Sequence, residues 1–128
     1  MGSKSIANVW GEVLMSDFKA DYYKYCAELN TGYTRTAVQK HNKAMRKLSR
    51  LFHEAELKED RVFYLELLNS PDATVRLIAA AHCIGLGVYI SEAETVLKKI
   101  ARNGEQTKLA FDAQATLDVW KQQGYLTF

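Results

Sequence analysis

Apolar residues recur at steps of three and four along almost the whole chain, and this spacing constrains the fold more than any other feature. Such steps place side chains on one face of an α-helix, whereas a half-buried strand needs alternation at every second residue. No stretch of useful length alternates in that way. The sequence therefore predicts an all-α protein, divided by glycines and capping residues into about six helices.

Two long helices are predicted in the N-terminal part of the chain. The first covers Ser5–Leu29, either unbroken or interrupted near residues 15–17. The second begins at Thr34 or Thr36, because a threonine hydroxyl can accept a hydrogen bond from a first-turn amide. The residues of the second helix expected to face inward are Val38, His41, Met45, Leu48, Phe52 and Ala55.

The clearest turn of the sequence, residues 69–72, separates a third helix (Arg61–Leu68) from a fourth (Pro71 to about Ile84). Ser70 is the predicted N-cap of the fourth helix, with Pro71 at its first position, where no amide hydrogen is needed. Gly85 and Gly87 are expected to end it. Its centre, the three alanines at 79–81, is small enough for neighbouring helices to approach from more than one side.

The last two predicted helices are Ser91–Ala101 and Thr107–Gln123. The sequence predicts a capping box at the start of the fifth helix, formed by Ser91 and Glu94. The sixth helix again has small central residues, the alanines at 110, 113 and 115. The tail, Tyr125–Phe128, is apolar enough to fold back onto the domain.

Composition favours one folded domain over residues 1–128. Hydrophobic residues make up 48% and charged residues 25%, and a single proline and no low-complexity run argue against a linker. The net charge of +2 is too small to identify a partner. No signal-like segment and no apolar run of about 18 residues occurs, so we expect a cytoplasmic location without membrane contact.

The cysteines and histidines do not form a recognisable catalytic or metal-binding motif. Cys26 and Cys83 lie among apolar helical positions and are expected to be reduced core thiols. His41 and His53 are more than three helical turns apart, and His82 lies on another helix. The sequence therefore predicts no enzyme, no cofactor and no metal, with a Cys83 nucleophile and a histidine base as the residual alternative.

The second helix carries a row of basic residues that we call the basic stripe: Lys40, Lys43, Lys47 and Arg50. Their steps of three, four and three place them on one face, which a solvated outer surface would explain. Alternatively, the stripe could bind phosphates or the acidic surface of a protein, although no interleaved aromatic residues offer base stacking. Tyr23 and Tyr33 are candidate interface anchors, since tyrosine is frequent at binding hot spots, although Tyr23 could also lie in the core.

The run FYLELLNSPDATVRLIAAAHCIGLG resembles a HEAT repeat. The resemblance implies antiparallel helical hairpins in a right-handed superhelix. It also implies that Asp72 and Arg76 bond across the hairpin and to neighbouring repeats. The segment from Glu92 to Trp120 resembles a second, diverged repeat without the Pro-Asp-x-x-Val-Arg signature.

From about Val13 to Gly124, the chain also resembles an uncharacterised bacterial family of short HEAT-like proteins. The matching features are His41-Asn42-Lys43, Val75-Arg76 with the alanines after it, and Ala113, Leu117 and Trp120. Such proteins are similar to immunity proteins that neutralise secreted toxins. The resemblance implies a non-catalytic inhibitor whose partner is a toxin domain encoded by a neighbouring gene. The alternative is a nucleic-acid-binding protein that uses the basic stripe.

Overall fold

The computed structural model describes residues 18–29, 32–103 and 107–128, and this part of the chain contains six helices and no β-strand. The all-α prediction is confirmed. The first helix, α1, occupies residues 18–27, and the predicted helical segment before residue 18 lies outside the described residues. The other helices are α2 (Arg35–Glu56), α3 (Phe63–Leu68), α4 (Ala73–Leu86), α5 (Ile90–Arg102) and α6 (Thr107–Gln123).

The chain divides into two compact units between Leu51 and Phe52. In the first unit, α1 buries Phe18, Tyr22 and Cys26, which follow one another at steps of four. This spacing forms a single inward face, as the apolar pattern predicts.

Helix α2 begins where Thr34 Oγ1 accepts a hydrogen bond from the Ala37 amide at 3.1 Å, so Thr34 is the cap. Within the first unit, α2 buries three residues: Ala44, Leu48 and Leu51. The predicted inward positions Val38 and Met45 are wrong, because these side chains are 45% and 41% exposed. The buried face of α2 includes Ala44 in place of Val38 and Met45. The small side chain of Ala44 adds little to a hydrophobic pattern but allows close packing.

In the second unit, α4 packs against α3, α5 and α6. The residues that it buries are Val75, Leu77, Ala79, Ala80, Ala81, His82, Cys83 and Ile84. A helix with neighbours on several sides must be apolar around most of its circumference. The alanine centre therefore acts as predicted, by letting several helices approach α4.

The start of α4 differs from the prediction, since Asp72 and not Ser70 is the N-cap. The Asp72 carboxylate accepts hydrogen bonds from the Thr74 and Val75 amides at 2.9 and 3.4 Å. Ser70 Oγ instead accepts one from the Asp72 amide at 3.1 Å, which tightens the turn before the helix. Pro71 consequently precedes the helix and does not occupy its first position.

The end of α4 also differs, because Gly85 lies inside the helix and only Gly87, with φ of +75°, ends it. Gly85 serves a packing role. A Cβ atom there would lie 2.8 Å from Phe52 Cε2 and 3.0 Å from the backbone oxygen of Leu126. The missing side chain lets the end of α2 and the tail come close to α4.

Helix α5 starts one residue before the predicted position, and the capping box of Ser91 and Glu94 is wrong. Its N-cap is Tyr89, with φ of +48° and no side-chain hydrogen bond. Ser91 lies within the helix, and its carbonyl accepts a bond from Thr95 Oγ1 at 3.0 Å.

Helix α6 has the predicted bounds, and the tail folds back as expected. Leu126 is buried, and the Phe128 ring lies 5.1 Å from the Phe52 ring and 4.7 Å from the His82 ring. No helix in the described part of the chain is long and apolar enough to cross a membrane.

Candidate functional site

The basic stripe lies on one face of α2, in the first unit. Lys40, Lys43 and Arg50 are exposed. Lys47 is half-buried, with Nζ 5.2 Å from the centre of the Tyr25 ring, a distance at which a cation–π contact forms. Residues 35–53 contain six lysines and arginines and no acidic residue, so this face is positive throughout.

Both tyrosines proposed as anchors are exposed, Tyr23 by 40% and Tyr33 completely. Tyr23 therefore does not belong to the core. Tyr23 lies on α1 and Tyr33 shortly before α2, so both belong to the same unit as the basic stripe. A shared role of the stripe and the two tyrosines in binding stays a prediction.

Asp72 and Arg76 both stabilise the turn between α3 and α4. Asp72 caps α4, and Arg76 Nη1 donates a hydrogen bond to the Ser70 carbonyl oxygen at 2.6 Å. The guanidinium thus ties the second helix of the hairpin back to the turn. Contacts of either residue with a neighbouring repeat stay a prediction.

The neighbouring residues His82 and Cys83 are both buried in α4 and are poorly suited to acid–base or nucleophilic chemistry. Burial, assisted by the charge of His53, lowers the pKa of His82 to about 3. Burial, assisted by the charge of Glu92, raises the pKa of Cys83 to about 12. A nucleophilic cysteine needs the opposite shift, because the thiolate is the reactive form.

His53 joins the end of α2 to the tail. Its Nδ1 lies 2.7 Å from Glu56 Oε1, and its Nε2 lies 2.6 Å from the backbone oxygen of Phe128. The bond to Glu56, followed by the one to Phe128, raises the pKa of His53. Only the protonated ring can donate to both acceptors at once.

A surface cavity of about 570 Å³, which we call the α5–α6 groove, lies between the last two helices. Its lining residues are Glu94, Lys98, Ala101, Arg102, Gln114, Leu117, Asp118, Trp120 and Lys121. Apolar groups are contributed by Ala101, Leu117 and Trp120, all half-buried. Helices α5 and α6 pack against each other and are joined by a short connection, so they run antiparallel.

The charged groups around the groove differ in whether they already have partners. Lys98 pairs with Glu94 at 3.4 Å, and Gln114 Nε2 donates to Asp118 Oδ1 at 3.0 Å. Within residues 18–29, 32–103 and 107–128, neither Arg102 nor Lys121 forms an ion pair. Because each lies in the last turn of its helix, these two cations mark opposite ends of the groove.

Helix α6 covers little of its own apolar surface. Of residues 108–123, only Ala113 is buried. Leu117 and Trp120 are half-buried, while Phe111 is 71% exposed and Val119 is 43% exposed. Among the described helices, α6 packs against α5 and α4.

Sequence reasoning missed Arg102 and Lys121 as candidate binding residues. The available signal was a basic residue in the last turn of each of two successive helices. That signal alone has an ordinary explanation, since cations are favourable near helix C-termini. Only the antiparallel packing places the two cations on either side of an exposed apolar floor.

No described group of three or more histidine, cysteine, aspartate or glutamate residues is arranged to hold a metal ion. Residues 17–121 match a family described as a domain of unknown function (DUF2019). The chain belongs to the DUF2019 family.

The DUF2019 match includes the basic stripe, the α3–α4 turn and the groove as far as Lys121. No curated protein and no solved structure matches the chain. The expectation of a small all-helical family without an assigned function is confirmed, and DUF2019 membership by itself names no partner.

Proposed function

We propose that this protein is a non-catalytic protein-binding module of HEAT-like hairpins, and that it acts as an immunity protein against a toxin encoded by a neighbouring gene. The observation that carries the binding proposal is the incompletely covered apolar floor of the α5–α6 groove. Leu117 and Trp120 of α6 and Ala101 of α5 line this groove and are only half-buried. Exposed apolar patches with aromatic residues are typical of protein interaction sites.

The packing of α5 against α4 supports binding without large rearrangement. Ala93 and Leu97 are fully buried, and Ile100 is 7% exposed, so α5 is held firmly under the groove. A preformed surface loses little conformational entropy when a partner binds. The helical hairpins therefore offer a rigid platform suited to tight inhibition.

The chemistry of α4 supports a role other than catalysis. The neutral His82 and the protonated Cys83 thiol are held in states that resist proton transfer and nucleophilic attack near neutral pH. Their burial is explained by the packing of α4 alone.

A growth-rescue experiment tests the immunity proposal. The open reading frame next to the gene is expressed from an inducible plasmid, with and without this protein, and growth and complex formation are measured. We expect the neighbour to arrest growth, and this protein to restore growth and to bind the neighbour at micromolar concentration or below. A harmless neighbour, or a toxic one that this protein neither binds nor neutralises, would contradict the proposal.

Binding of nucleic acid is the second candidate function, favoured by the uninterrupted positive face of α2. The test is binding of a labelled duplex and a labelled single strand at increasing salt. If phosphates are the ligand, affinity falls steeply with salt and is lost in K40E/K43E. The variant R102E/K121E has the same change in charge and should bind normally. Binding that is absent, or unaffected by salt, would exclude this function.

A further inference from the structure

We propose that the α5–α6 groove binds an amphipathic helix of the partner protein that carries an acidic residue at each end of a short apolar stripe. This inference rests on the proposed function in taking the ligand to be a protein. Beyond that function, the inference specifies which kind of partner segment the groove recognises. It also assigns Arg102 and Lys121 as the residues that select this segment by its charge.

The apolar part of the ligand follows from the floor of the groove. Leu117 and Trp120 lie on α6 and Ala101 on α5, and none of the three is fully covered. Two packed helices leave between them a furrow into which the apolar face of a third helix fits, through residues spaced three and four apart. An aromatic side chain at the centre of such a furrow is a typical anchor.

The charge of the ligand follows from which charged side chains of the α5–α6 groove already have partners. Glu94 and Asp118, the two carboxylates of the groove, already interact with Lys98 and Gln114. Arg102 and Lys121 are exposed and have no ion pair within the described residues. The cations still open to a ligand are therefore those at the two ends, which favour carboxylates there.

The length of the groove sets the spacing of the acidic residues. On α5, the groove extends from Glu94 to Arg102, which corresponds to about 12 Å along a helix axis. A bound helix covers that distance in about two turns. The expected ligand thus has acidic residues about seven positions apart, with large apolar residues three and four positions after the first.

The position of the two cations in the last turn of each helix is favourable without any ligand. The apolar surface between the two cations is the feature that points to a ligand. Solvent contact of Leu117 and Trp120 is unfavourable and is relieved when an apolar surface covers them. A favourable position at a helix C-terminus explains the two cations, but it does not explain why Leu117 and Trp120 between them are left in contact with solvent.

A charge-exchange experiment with the full chain tests the proposal. The probe is a fluorescein-labelled, helix-forming peptide of about 14 residues with two leucines on one face and glutamates two turns apart on that face. A twin peptide has lysines in place of these glutamates. The proteins compared are the wild type, R102E/K121E and K40E/K43E. In both variants the substituted residues are exposed. Thermal unfolding, followed by circular dichroism, checks that each protein is folded.

We expect the wild type to bind the glutamate peptide about tenfold more tightly than the lysine peptide. R102E/K121E should reverse that preference, because the carboxylates now face the lysines. K40E/K43E changes the net charge equally and should keep the wild-type preference. The chain has two tryptophans, Trp10 and Trp120. When Trp10 is replaced in the variant W10F, the remaining emission comes from Trp120, and binding should shift it to shorter wavelength. An unchanged preference in R102E/K121E, or an equal change in K40E/K43E, would overturn the proposal.

The growth-rescue assay separates failure of the groove from failure of the proposed function. If the wild type neutralises the neighbouring toxin and R102E/K121E does so equally well, the groove proposal is wrong and the immunity function stands. If the peptides behave as expected but no neighbour is neutralised, the groove stands and the immunity function is wrong.

Discussion

Helices α4 and α6 both carry alanines at their centre, yet the two helices are covered very differently. α4 contacts α3, α5 and α6 and buries residues on most of its circumference. Among the described helices, α6 contacts α4 and α5, and Ala113 is its one buried residue among 108–123. The same small side chains therefore serve close packing on several sides in α4 and on one side in α6.

This difference shows that small central residues do not by themselves fix how much of a helix is buried. A helix face that packs against no other element is usually polar, and apolar residues there indicate a surface that a partner covers. α6 has Phe111 and Val119 where a polar outer face would be expected. The comparison with α4 is the physical basis for regarding α6 as a surface for a partner.

Enlarging one alanine in each helix should give the largest contrast. Ala80 is fully buried, so Ala80→Leu should lower the free energy of unfolding by about 3 kcal/mol through overpacking. Ala115, which is half-buried on α6, should tolerate the same change within about 0.5 kcal/mol. Urea unfolding measures both variants, and equal losses would show that α6 is as tightly packed as α4.

Acid should destabilise the chain through α4. The pKa of His82 is lowered to about 3 in the folded protein, against an ordinary 6.5 when unfolded. Below pH 6.5, the His82 imidazole is protonated in the unfolded chain but stays neutral in the folded chain. The free energy of unfolding should therefore fall by about 1.4 kcal/mol for each pH unit between 6.5 and 4.5.

Urea unfolding of His82→Gln across the same pH range should show a slope that is smaller by that amount. The raised pKa of His53 acts in the opposite direction, since its stabilising bonds are fully present below pH 6.5 and are lost as pH rises through its folded pKa. An identical slope in wild type and His82→Gln would contradict the assignment to His82.

Substitution of the packing glycine of α4 should have an intermediate effect. Gly85→Ala creates a clash with Phe52 and the Leu126 backbone that we place at about 3 kcal/mol, against a gain of about 1 kcal/mol in helix propensity. The net loss should be about 2 kcal/mol. NMR should show displaced Phe128 ring signals. Gly124→Ala, after α6, meets open space and should lose only about 1 kcal/mol, from its positive φ of 82°. Undisturbed Phe128 signals in Gly85→Ala would refute the close approach.

Removal of one carboxylate from each region should have the smallest effects. Asp72→Ala deletes the N-cap of α4 and should cost about 1 kcal/mol in thermal unfolding. Asp118→Ala removes only an exposed bond to Gln114 and should cost less than about 0.5 kcal/mol. If the two losses are alike, the cap contributes no more than a surface contact.

The sequence is sufficient to predict the helices where one local signal is unopposed. The bounds of α6 are of this kind. It is insufficient where two signals compete, as at Ser70 and Asp72, which are both good N-caps. There the outcome depends on the Arg76 bond to the Ser70 carbonyl, a contact that the local pattern does not contain.

The errors at Gly85 and in the groove have a different origin. The role of Gly85 depends on Phe52 and the tail, which are distant in the chain. Arg102 and Lys121 are visible as basic residues, but which cations remain unpaired depends on the packing of α5 and α6. Periodicity reports on a helix face and not on the neighbour that covers it.

The bond between His53 and the Phe128 backbone oxygen joins residues 75 positions apart and encloses α3 to α6 in one loop. Closing an open loop of that length costs about 4 kcal/mol of chain entropy. The contact should therefore form late in folding, after the helices between have docked, and break early in unfolding. Variants of His53 should accelerate unfolding while leaving the folding rate nearly unchanged.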